Sequence, residues 1–334
     1  MEVGLLINIL GISLFSFLLT LYLIPLMIKA AKEMKILDMP DNKLKKHIKP
    51  TPYLGGLAIY MAIIFSTTIM IPFNRFTSAF FLGATMIVFL GFIDDLKALK
   101  PGIKFLFQII VVFIIIKGGV YIKIAFFPQW FNYLLTFLWL LTIINAMNFL
   151  DIMNGLASFI SLIVLISFIF YTSLDNNFSL LLISTSTFGA VLAFFYHNFP
   201  DAHIFLGDTG SMLLGYTFGV LSFAIDYSNF TKVGIINPLI ILFVPLFEII
   251  WTISRRIYFK IPPWKGSPHH YAFYIRDIMG VKKTVYFLGS LSFLAGIISI
   301  LNYLDLIEFE IVLSIILLLS AIVFPIYKTK HERK

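Results

Sequence analysis

The segment His203-Ile204-Phe205-Leu206-Gly207-Asp208-Thr209-Gly210-Ser211 is a short polar stretch with almost uninterrupted apolar sequence on both sides. Its acidic residue, Asp208, lies between two glycines and is followed by hydroxyl side chains. Glycines allow a ligand to approach the backbone closely, and amide groups at a helix start favour phosphate. A carboxylate in this setting suits Mg²⁺, which usually takes one or two carboxylates together with phosphate oxygens. The same pattern is typical of a cap and turn that open a helix, so the other polar segments have to decide between the two interpretations.

The apolar sequence around this segment indicates the class of protein. The chain has 334 residues, of which 60% are hydrophobic and 13% are charged, and its mean hydropathy is +0.96. This composition is typical of an all-α polytopic membrane protein. The absence of cysteine excludes disulfides and thiolate metal sites. Eleven apolar runs are each close to the ~20 residues that a membrane span needs. They cover residues 3–28, 54–72, 76–93, 103–119, 131–147, 156–173, 178–196, 210–225, 233–254, 284–302 and 308–327.

The distribution of basic residues predicts how these spans are oriented. Of the 25 lysines and arginines, 21 lie in the C-terminal tail or in the loops that follow odd-numbered spans. The four others are Arg75, Lys117, Lys123 and Lys232. By the positive-inside rule the N-terminus is outside and the C-terminus is cytoplasmic, so the net charge of +8 reflects topology rather than nucleic-acid binding. We predict one integral-membrane domain over residues 1–334, with its longest cytoplasmic loop at 255–283.

The functional residues follow the same division between the two faces. The outer loops are short apart from 118–130, where Val120–Ile124 is predicted to form a small hairpin. The inner side carries Asp94 and Asp95 at the end of the third span, and adjacent carboxylates are costly there unless a cation accompanies them. Mg²⁺ or one of the nearby lysines could supply that charge. The alternative is a pair that merely ends the helix, and we favour the functional interpretation. The lysines in question are Lys97, Lys100 and Lys104.

Polar residues recur at every third position between Ile144 and Gly155. They are Asn145, Asn148, Asp151 and Asn154. On a helix this spacing drifts slowly around one face, and amides with a carboxylate can recognise a heterocycle edge or hydroxyl groups. Hydrogen bonding between membrane helices is the alternative. Four polar positions in register beside a glycine favour recognition of a ligand.

Two further inner segments carry basic or histidine side chains. Lys49 precedes Pro50 and the Gly55-Gly56 pair, and it either faces a phosphate or belongs to an ordinary positive-inside helix start. The loop at 255–283 contains the pair His269-His270, which could bind a metal or hydrogen-bond to phosphate. The order of glycine and proline argues against a helical zinc site. Glu248 is the one carboxylate deep within an apolar run, and we expect it to pair with a buried polar group.

Taken together, these segments resemble the polyprenyl-phosphate N-acetylhexosamine-1-phosphate transferases (glycosyltransferase family 4), which start lipid-linked synthesis of peptidoglycan, teichoic acid and O-antigen. The resemblance covers the chain from His47 to His270 and includes the order, spacing and inner-face placement of the motifs. The matching motifs are Thr51-Pro52 with Gly55-Gly56, Gly91-Phe92-Ile93-Asp94-Asp95, Asn145 to Gly155, and Phe205 to Ser211.

The resemblance implies a reaction at the cytoplasmic face of a bacterial plasma membrane. A polyprenyl phosphate attacks the β-phosphate of a UDP-N-acetylamino sugar, UMP leaves, and a polyprenyl-diphospho-sugar forms. The inner face is the one place that a membrane-bound lipid and a cytosolic polyanion can both reach. Phosphoryl transfer needs mainly charge neutralisation and alignment. The implied partners are these two substrates and membrane lipid, without nucleic acid. We expect the protein to work alone or as a simple homo-oligomer such as a homodimer.

Residue by residue, the resemblance implies that Asp208 is the principal Mg²⁺ ligand, with Mn²⁺ as the alternative ion. Asp94 and Asp95 would lie beside the metal and the lipid phosphate as catalytic residues, and Asp151 is a further candidate ligand. Asp94 is the residue usually proposed as a base. The second pKa of a phosphate monoester is about 6, so the lipid phosphate is largely a dianion at neutral pH. Positioning or metal binding is therefore as plausible a role for Asp94 as proton abstraction.

The resemblance also implies a set of substrate-binding residues. The nucleotide site would be lined by Asn148, Asp151 and Asn154, and uracil would stack on Phe205. The phosphates would lie near Lys49 and Lys104. The nucleotide-sugar diphosphate would be contacted by His269 and His270.

Three motifs depart from the family pattern. The usual Asp-Gly-x-Asp-Gly core is Asp151-Ile152-Met153-Asn154-Gly155, the third position of the acidic motif is Ala98, and the histidine motif is shortened to His269-His270. These departures argue against the pentapeptide-specific peptidoglycan enzyme and favour the surface-polysaccharide branch. They leave the sugar open among UDP-GlcNAc, UDP-GalNAc and deoxyamino sugars.

Two other classes of protein compete with this interpretation. A secondary transporter also has many spans and intramembrane carboxylates, but its site usually lies near the bilayer midplane in repeated halves, and the sequence has no internal repeat. A structural or lipid-binding membrane protein has no need for several carboxylates on one side. Loss of turnover on truncation of Asp208 in a folded protein would separate the transferase from both.

Overall fold

The computed structural model describes residues 3–39, 50–175, 177–227 and 234–307. This part of the chain is mostly helical, with one 3₁₀ turn at Gly234–Ile236 and one short antiparallel ladder. The helices are α1 Val3–Glu33, α2 Gly55–Thr68, α3 Arg75–Leu96, α4 Pro101–Lys117, α5 Gln129–Leu150, α6 Leu156–Leu174, α7 Phe178–Asn198, α8 Gly207–Ala224, α9 Asn237–Ile241, α10 Phe243–Tyr258, α11 Tyr271–Met279 and α12 Val281–Tyr303; the strands are β1 Leu37–Asp38 and β2 Thr51–Pro52.

The helices follow the predicted spans closely. Nine of the first ten apolar runs each coincide with one helix. Within the described residues, six helices (α1, α3, α5, α6, α7 and α12) are long and apolar enough to cross a membrane, which confirms a polytopic, all-α membrane protein. The eleventh run, 308–327, lies outside the described residues.

The ninth run, 233–254, is the one that does not form a continuous helix. It divides at Leu242 into the five-residue α9 and the longer α10. Pro245 lies in the first turn of α10 and has no N–H to donate to the preceding turn, so a continuous helix would lose a hydrogen bond there. The predicted loop at 255–283 is also more ordered than expected, because α11 and the start of α12 lie within it.

The central element is α8, whose residues from Thr209 to Ser222 are all buried. It packs against α2, α3 and α5. Small residues allow these close approaches: a Cβ added at Gly91 of α3 would lie 2.5 Å from Thr209 Cα, and one added at Gly215 would lie 2.6 Å from Ile144 Cα. In membranes such small residues are the usual means of bringing helices together.

The short ladder places the starts of α2 and α8 beside each other. Leu37 pairs with Pro52 and Asp38 with Thr51. Pro52 O accepts from Phe205 N at 2.7 Å, and Phe205 O accepts from Gly55 N at 3.1 Å. The polar segment that begins at His203 is therefore bonded through its backbone to the segment before α2. Lys49 lies outside the described residues, and its predicted substrate contact stays a prediction.

The hairpin predicted for Val120–Ile124 is wrong, because this segment has no strand. Side chains from the start of α5 satisfy its backbone instead. Ile122 N donates to Thr136 Oγ1 at 2.9 Å, and the Asn132 amide both accepts from Ile124 N at 3.3 Å and donates to Ile124 O at 3.2 Å.

Candidate active site

Asp208 lies in the first turn of α8, where the helix dipole favours a negative charge. Its carboxylate accepts hydrogen bonds from two other helices. Lys104 Nζ of α4 donates to Oδ2 at 2.8 Å, and Asn148 Nδ2 of α5 donates to Oδ1 at 2.8 Å. The Asp208 side chain remains 28% exposed, so a ligand can still reach it.

Asp94 and Asp208 share one cation. Lys104 Nζ forms an ion pair with Asp94 as well as with Asp208, whereas Lys97 and Lys100 are exposed. The other oxygen of Asp94 accepts from Leu99 N at 2.7 Å and so fixes the turn between α3 and α4. The expectation that a cation accompanies the acidic pair is confirmed for Asp94, and the structure identifies Lys104 as that cation.

Asp95 is used differently from its neighbour. Its carboxylate accepts from Asp208 N at 2.8 Å, and from Thr209 N at 3.1 Å and Thr209 Oγ1 at 2.6 Å. These amides are among those that a helix leaves without intrahelical partners, so Asp95 caps α8 from α3. Gly207, with φ +70°, permits this approach, since an added Cβ would lie 2.6 Å from Asp95 Oδ2. Direct contact of Asp95 with metal or lipid phosphate stays a prediction.

The prediction that Asn145, Asn148, Asp151 and Asn154 share one helix face is wrong. Helix α5 ends at Leu150, and the backbone at Asp151 leaves the helical region with ψ 59°. Asn148 contacts the site, donating to Asp208 and to Ser211 Oγ at 3.0 Å.

The remaining amides of this segment contact protein groups. Asn145 Nδ2 donates to Gln108 Oε1 at 3.1 Å, and Asn154 Nδ2 donates to Pro200 O at 3.2 Å. Asn198 Oδ1, whose role the sequence did not reveal, accepts from Gly155 N at 2.8 Å and thereby orders the turn that follows Asp151.

Asp151 lies just beyond the end of α5, in the electrostatic field of the acidic cluster. Burial, together with the negative charges of Asp208 and Asp95, raises the pKa of its carboxyl to about 8. The side chain is therefore protonated at neutral pH unless a cation joins the cluster. This responsiveness to positive charge is what a metal-binding carboxylate needs.

Phe205 is half-buried beside the start of α2. Its ring lies 6.3 Å from that of Tyr53 at an interplanar angle of 52°. Burial, followed by a hydrogen bond to Asp38, raises the pKa of the Tyr53 hydroxyl above its ordinary value, so Tyr53 stays neutral. Stacking of Phe205 on uracil stays a prediction.

The two histidines have different surroundings. His269 stacks on Phe259 with ring centroids 4.6 Å apart. His270 is buried, with Nδ1 3.1 Å from Glu248 Oε1 and Nε2 3.4 Å from Arg256 Nη2. The expectation that Glu248 pairs with a buried polar group is confirmed. Arg256 was missed because its charge was counted only toward topology.

The donor set fits a magnesium ion of the kind that substrates help to hold. Among the described residues, no three or more histidine or acidic side chains form a preassembled metal cluster. Mg²⁺ commonly binds through only one or two carboxylates together with substrate phosphates. Asp208 and Asp94 already converge on one positive charge, which is the arrangement that such an ion requires.

Comparison with known proteins places this geometry in a family. The family profile described as "Glycosyl transferase family 4" matches residues 76–226, a range that includes Asp94, Lys104, Asn148 and Asp208. The chain is 32% identical to the "Probable undecaprenyl-phosphate N-acetylglucosaminyl 1-phosphate transferase" of Bacillus subtilis over 85% of this chain and 82% of that protein. The chain belongs to glycosyl transferase family 4. The predicted family and the predicted enzyme class, a transferase, are thereby confirmed.

Two further relatives show how widely the similarity extends. The "Undecaprenyl-phosphate alpha-N-acetylglucosaminyl 1-phosphate transferase" of Thermotoga maritima is 27% identical over 87% of this chain and 90% of its own length. The "Phospho-N-acetylmuramoyl-pentapeptide-transferase" of Streptococcus pneumoniae is 27% identical over 79% of this chain and 87% of its own length. The family profile ends before Glu248, Arg256 and the histidine pair, whereas the similarity to the Bacillus subtilis and Thermotoga maritima proteins extends over 85% and 87% of the chain.

Proposed function

We propose that this chain transfers an N-acetylhexosamine-1-phosphate from a UDP-sugar to undecaprenyl phosphate and so starts lipid-linked synthesis of a cell-envelope polysaccharide. The observation that carries the proposal is the convergence of Asp94, Lys104, Asn148 and Asp208 from four helices. Two relatives that align with most of this chain are named as undecaprenyl-phosphate N-acetylglucosaminyl 1-phosphate transferases. The nucleophile is an oxygen of the lipid phosphate, the bond broken joins the β-phosphorus to UMP, and UMP is the leaving group.

The side chains contribute alignment and charge. Lys104 can exchange its carboxylate partners for a phosphate of either substrate, and Asn148 holds Asp208 in a fixed orientation. Asp95 holds the start of α8. Mg²⁺ bound at Asp208, with Asp94 and Asp151 as additional oxygen donors, would neutralise the phosphates and orient them. Phe205, Asn154 and His269 are the proposed nucleotide contacts.

The proposed topology has eleven spans, the N-terminus outside and the active site facing the cytoplasm, in one domain over residues 1–334. Its support is the 21 to 4 division of basic residues and the position of the acidic cluster. Asp94 and Asp95 lie at the end of α3, and Asp208 lies at the start of α8, so the acidic cluster lies at helix ends. A transporter site would be expected on a broken helix, such as the break near Leu242, and the cluster does not lie there. A homodimer in the bacterial plasma membrane is the proposed assembly.

The decisive experiment measures UMP release by protein purified in detergent. Undecaprenyl phosphate, Mg²⁺ or Mn²⁺ and a panel of UDP-N-acetyl sugars are supplied, with EDTA as the metal-removal control. We expect UMP only when lipid, metal and one particular sugar are all present. Asp208→Ala should abolish release while the protein stays folded, and Asp208→Asn is the size-matched control for loss of charge. Absence of UMP with every sugar, from folded wild-type protein, would reject the proposal and favour flux assays in liposomes.

A further inference from the structure

Helix α10 and the residue before α11 carry a buried group of charged and polar side chains. Glu248 and Arg256 lie about two turns apart on one face of α10, with relative exposures of 1% and 3%, and His270 is 5% exposed. Burial of such groups is costly unless each one is paired. We call Glu248, Arg256 and His270 the loop triad.

Glu248 joins α10 to the start of α11. Its Oε2 accepts from Ala272 N at 3.2 Å, and its Oε1 lies 3.1 Å from His270 Nδ1. The Thr252 hydroxyl donates to the same Oε1 at 3.3 Å. One carboxylate therefore fixes both the first turn of α11 and the ring of His270.

Arg256 completes the loop triad and determines which nitrogen of His270 carries the proton. Its Nε donates to Ser267 Oγ at 3.0 Å, and its Nη2 lies 3.4 Å from His270 Nε2. A guanidinium has donors only, so Nε2 accepts, and Nδ1 carries the hydrogen that is donated to Glu248. His270 is thus a spacer between a carboxylate and a guanidinium, and both of its nitrogens face protein groups.

The loop triad contacts the last turn of α5. The Arg256 guanidinium carbon lies 4.6 Å from the centre of the Phe149 ring, and the His270 ring meets Phe149 edge-on at 5.8 Å. Phe149 follows Asn148, which donates to Asp208. A continuous series of contacts therefore runs from Glu248 through His270 to Phe149, the neighbour of the residue that orients Asp208, and Arg256 braces both His270 and Phe149.

We infer that Glu248 is a positioning residue for the transfer reaction, acting through Arg256, His270 and Phe149 on Asn148. The inference rests on the proposed function and deepens it. In this role Glu248 and Arg256 do not touch substrate, and His270 is a buried spacer rather than a nucleotide ligand. The function of the loop triad is to hold the end of α5 against α8.

The first test is a double-mutant cycle between Glu248 and Asn148, whose side chains are not in contact. Glu248→Gln should lower kcat about 10- to 100-fold, the range for residues that orient a catalytic group, with KM for the UDP-sugar little changed. If Glu248 acts through Asn148, adding Glu248→Gln to Asn148→Ala should cost almost nothing further. Fully additive losses would overturn the inference.

The matched control is Tyr171→Phe, which removes a buried hydrogen bond of 2.7 Å to Ser299 far along the chain from the loop triad. It should leave kcat unchanged and combine additively with Asn148→Ala. A control that behaved like Glu248→Gln would show that any loss of buried bonding has the same effect, which also contradicts the inference.

Two substitutions of His270 test its role without altering Glu248. His270→Asn retains a donor near the Nδ1 position, whereas His270→Gln extends its amide toward the Nε2 position. The inference predicts that the asparagine variant keeps more of the kcat. Higher activity in the glutamine variant, or a rise in KM for the UDP-sugar in both, would instead identify His270 as a nucleotide ligand.

Hydrogen exchange provides a readout that is independent of turnover. In Glu248→Gln, peptides covering 148–154 should exchange faster than in wild-type protein, whereas Tyr171→Phe should leave them unchanged. Unchanged exchange in Glu248→Gln would overturn the inference even if wild-type protein released UMP. If Glu248→Gln exchanged faster but the wild-type protein released no UMP, the proposed function would be rejected and the structural coupling would be retained.

Discussion

At the scale of single residues, the shared cation between Asp94 and Asp208 is the feature closest to the chemistry. Lys104 is 26% exposed and contacts both carboxylates, so its ammonium can turn toward a phosphate without crossing a buried region. Lys104→Met keeps the apolar stem and removes the charge. We expect kcat for UMP release to fall about 10²- to 10³-fold, the range for removal of one preorganised electrostatic contact.

The control for this prediction is Lys104→Arg. A guanidinium is planar and larger than an ammonium, so it should restore only part of the activity. Activity of Lys104→Met equal to wild type would show that the ammonium only balances charge in the ligand-free protein.

Asp151 gives a prediction about pH. Its pKa is about 8 in the folded protein and about 4 in an unfolded chain, so the folded state binds more protons between these values. The stability from this group is therefore complete below about pH 4 and is lost as pH rises toward 8. In EDTA, Asp151→Asn should melt like wild type at or below pH 4 and several degrees higher near pH 8.5.

Thermal unfolding across this pH range, with and without Mg²⁺, measures the effect. If Asp151 is a metal ligand, Mg²⁺ should stabilise wild type more than Asp151→Asn at the higher pH. A melting difference that is the same at every pH would contradict the raised pKa.

The sequence predicted part of this site residue by residue. A cation beside Asp94 followed from the cost of adjacent carboxylates at a membrane interface, and Asp208 followed from its setting between glycines. The sharing of Lys104 between Asp94 and Asp208 appears only in the structure. The use of Asp95 as a cap for α8 could not be read in the same way, because its partners are more than 100 positions away. Arg256 was hidden among the many cytoplasmic basic residues, and only packing distinguishes a buried arginine from those.

At the scale of elements, the start of α8 depends on α3. Asp95→Asn keeps the shape of the side chain but replaces one carboxylate oxygen with an amide NH₂ group. This group then faces N–H and O–H donors of Asp208 and Thr209, from which the carboxylate accepted hydrogen bonds. Loss of a helix cap typically costs about 0.5–2 kcal/mol, so the melting temperature should fall by several degrees. UMP release should fall as well, because Asp208 is in the same turn.

A matched pair of threonines on α8 separates capping from general packing. Thr209→Val removes the 2.6 Å bond to Asp95, whereas Thr217→Val removes a bond to Leu213 O within the helix. We expect only the first to lower activity, measured beside thermal unfolding of each variant. Equal losses in both would indicate that α8 tolerates no change in packing anywhere.

Helix boundaries show what apolar patterning can and cannot reveal. The pattern located nearly every helix, because a membrane span needs about 20 apolar residues whatever it packs against. It ended the fifth run at residue 147, but the spacing of the polar residues was interpreted as helical as far as Asn154, although Gly155, with φ +76°, was an available signal for a turn. It also treated 233–254 as one span, since Pro245 shortens a helix without altering hydropathy.

At the scale of the whole molecule, the acidic cluster connects helices that are distant in the chain. The ends of α3, α4, α5 and α8 meet there, and the loop triad adds α10 and α11. A lipid phosphate can approach from the bilayer and a nucleotide from the aqueous side only if this end lies at the membrane surface. The direction in which that end faces therefore determines whether a cytosolic nucleotide can be the substrate.

The absence of native cysteine makes this orientation directly measurable. Lys97 follows the acidic pair at the inner end of α3, Lys123 belongs to the opposite set, and both side chains are exposed. Because cytoplasmic loops carry the excess of basic residues, a membrane-impermeant maleimide should label Lys123→Cys in intact cells. Lys97→Cys should be labelled only after permeabilisation, and labelling after denaturation corrects for expression. The reverse pattern would place the acidic cluster outside, where no cytosolic UDP-sugar reaches it, and would leave Asp208 without the substrate proposed for it.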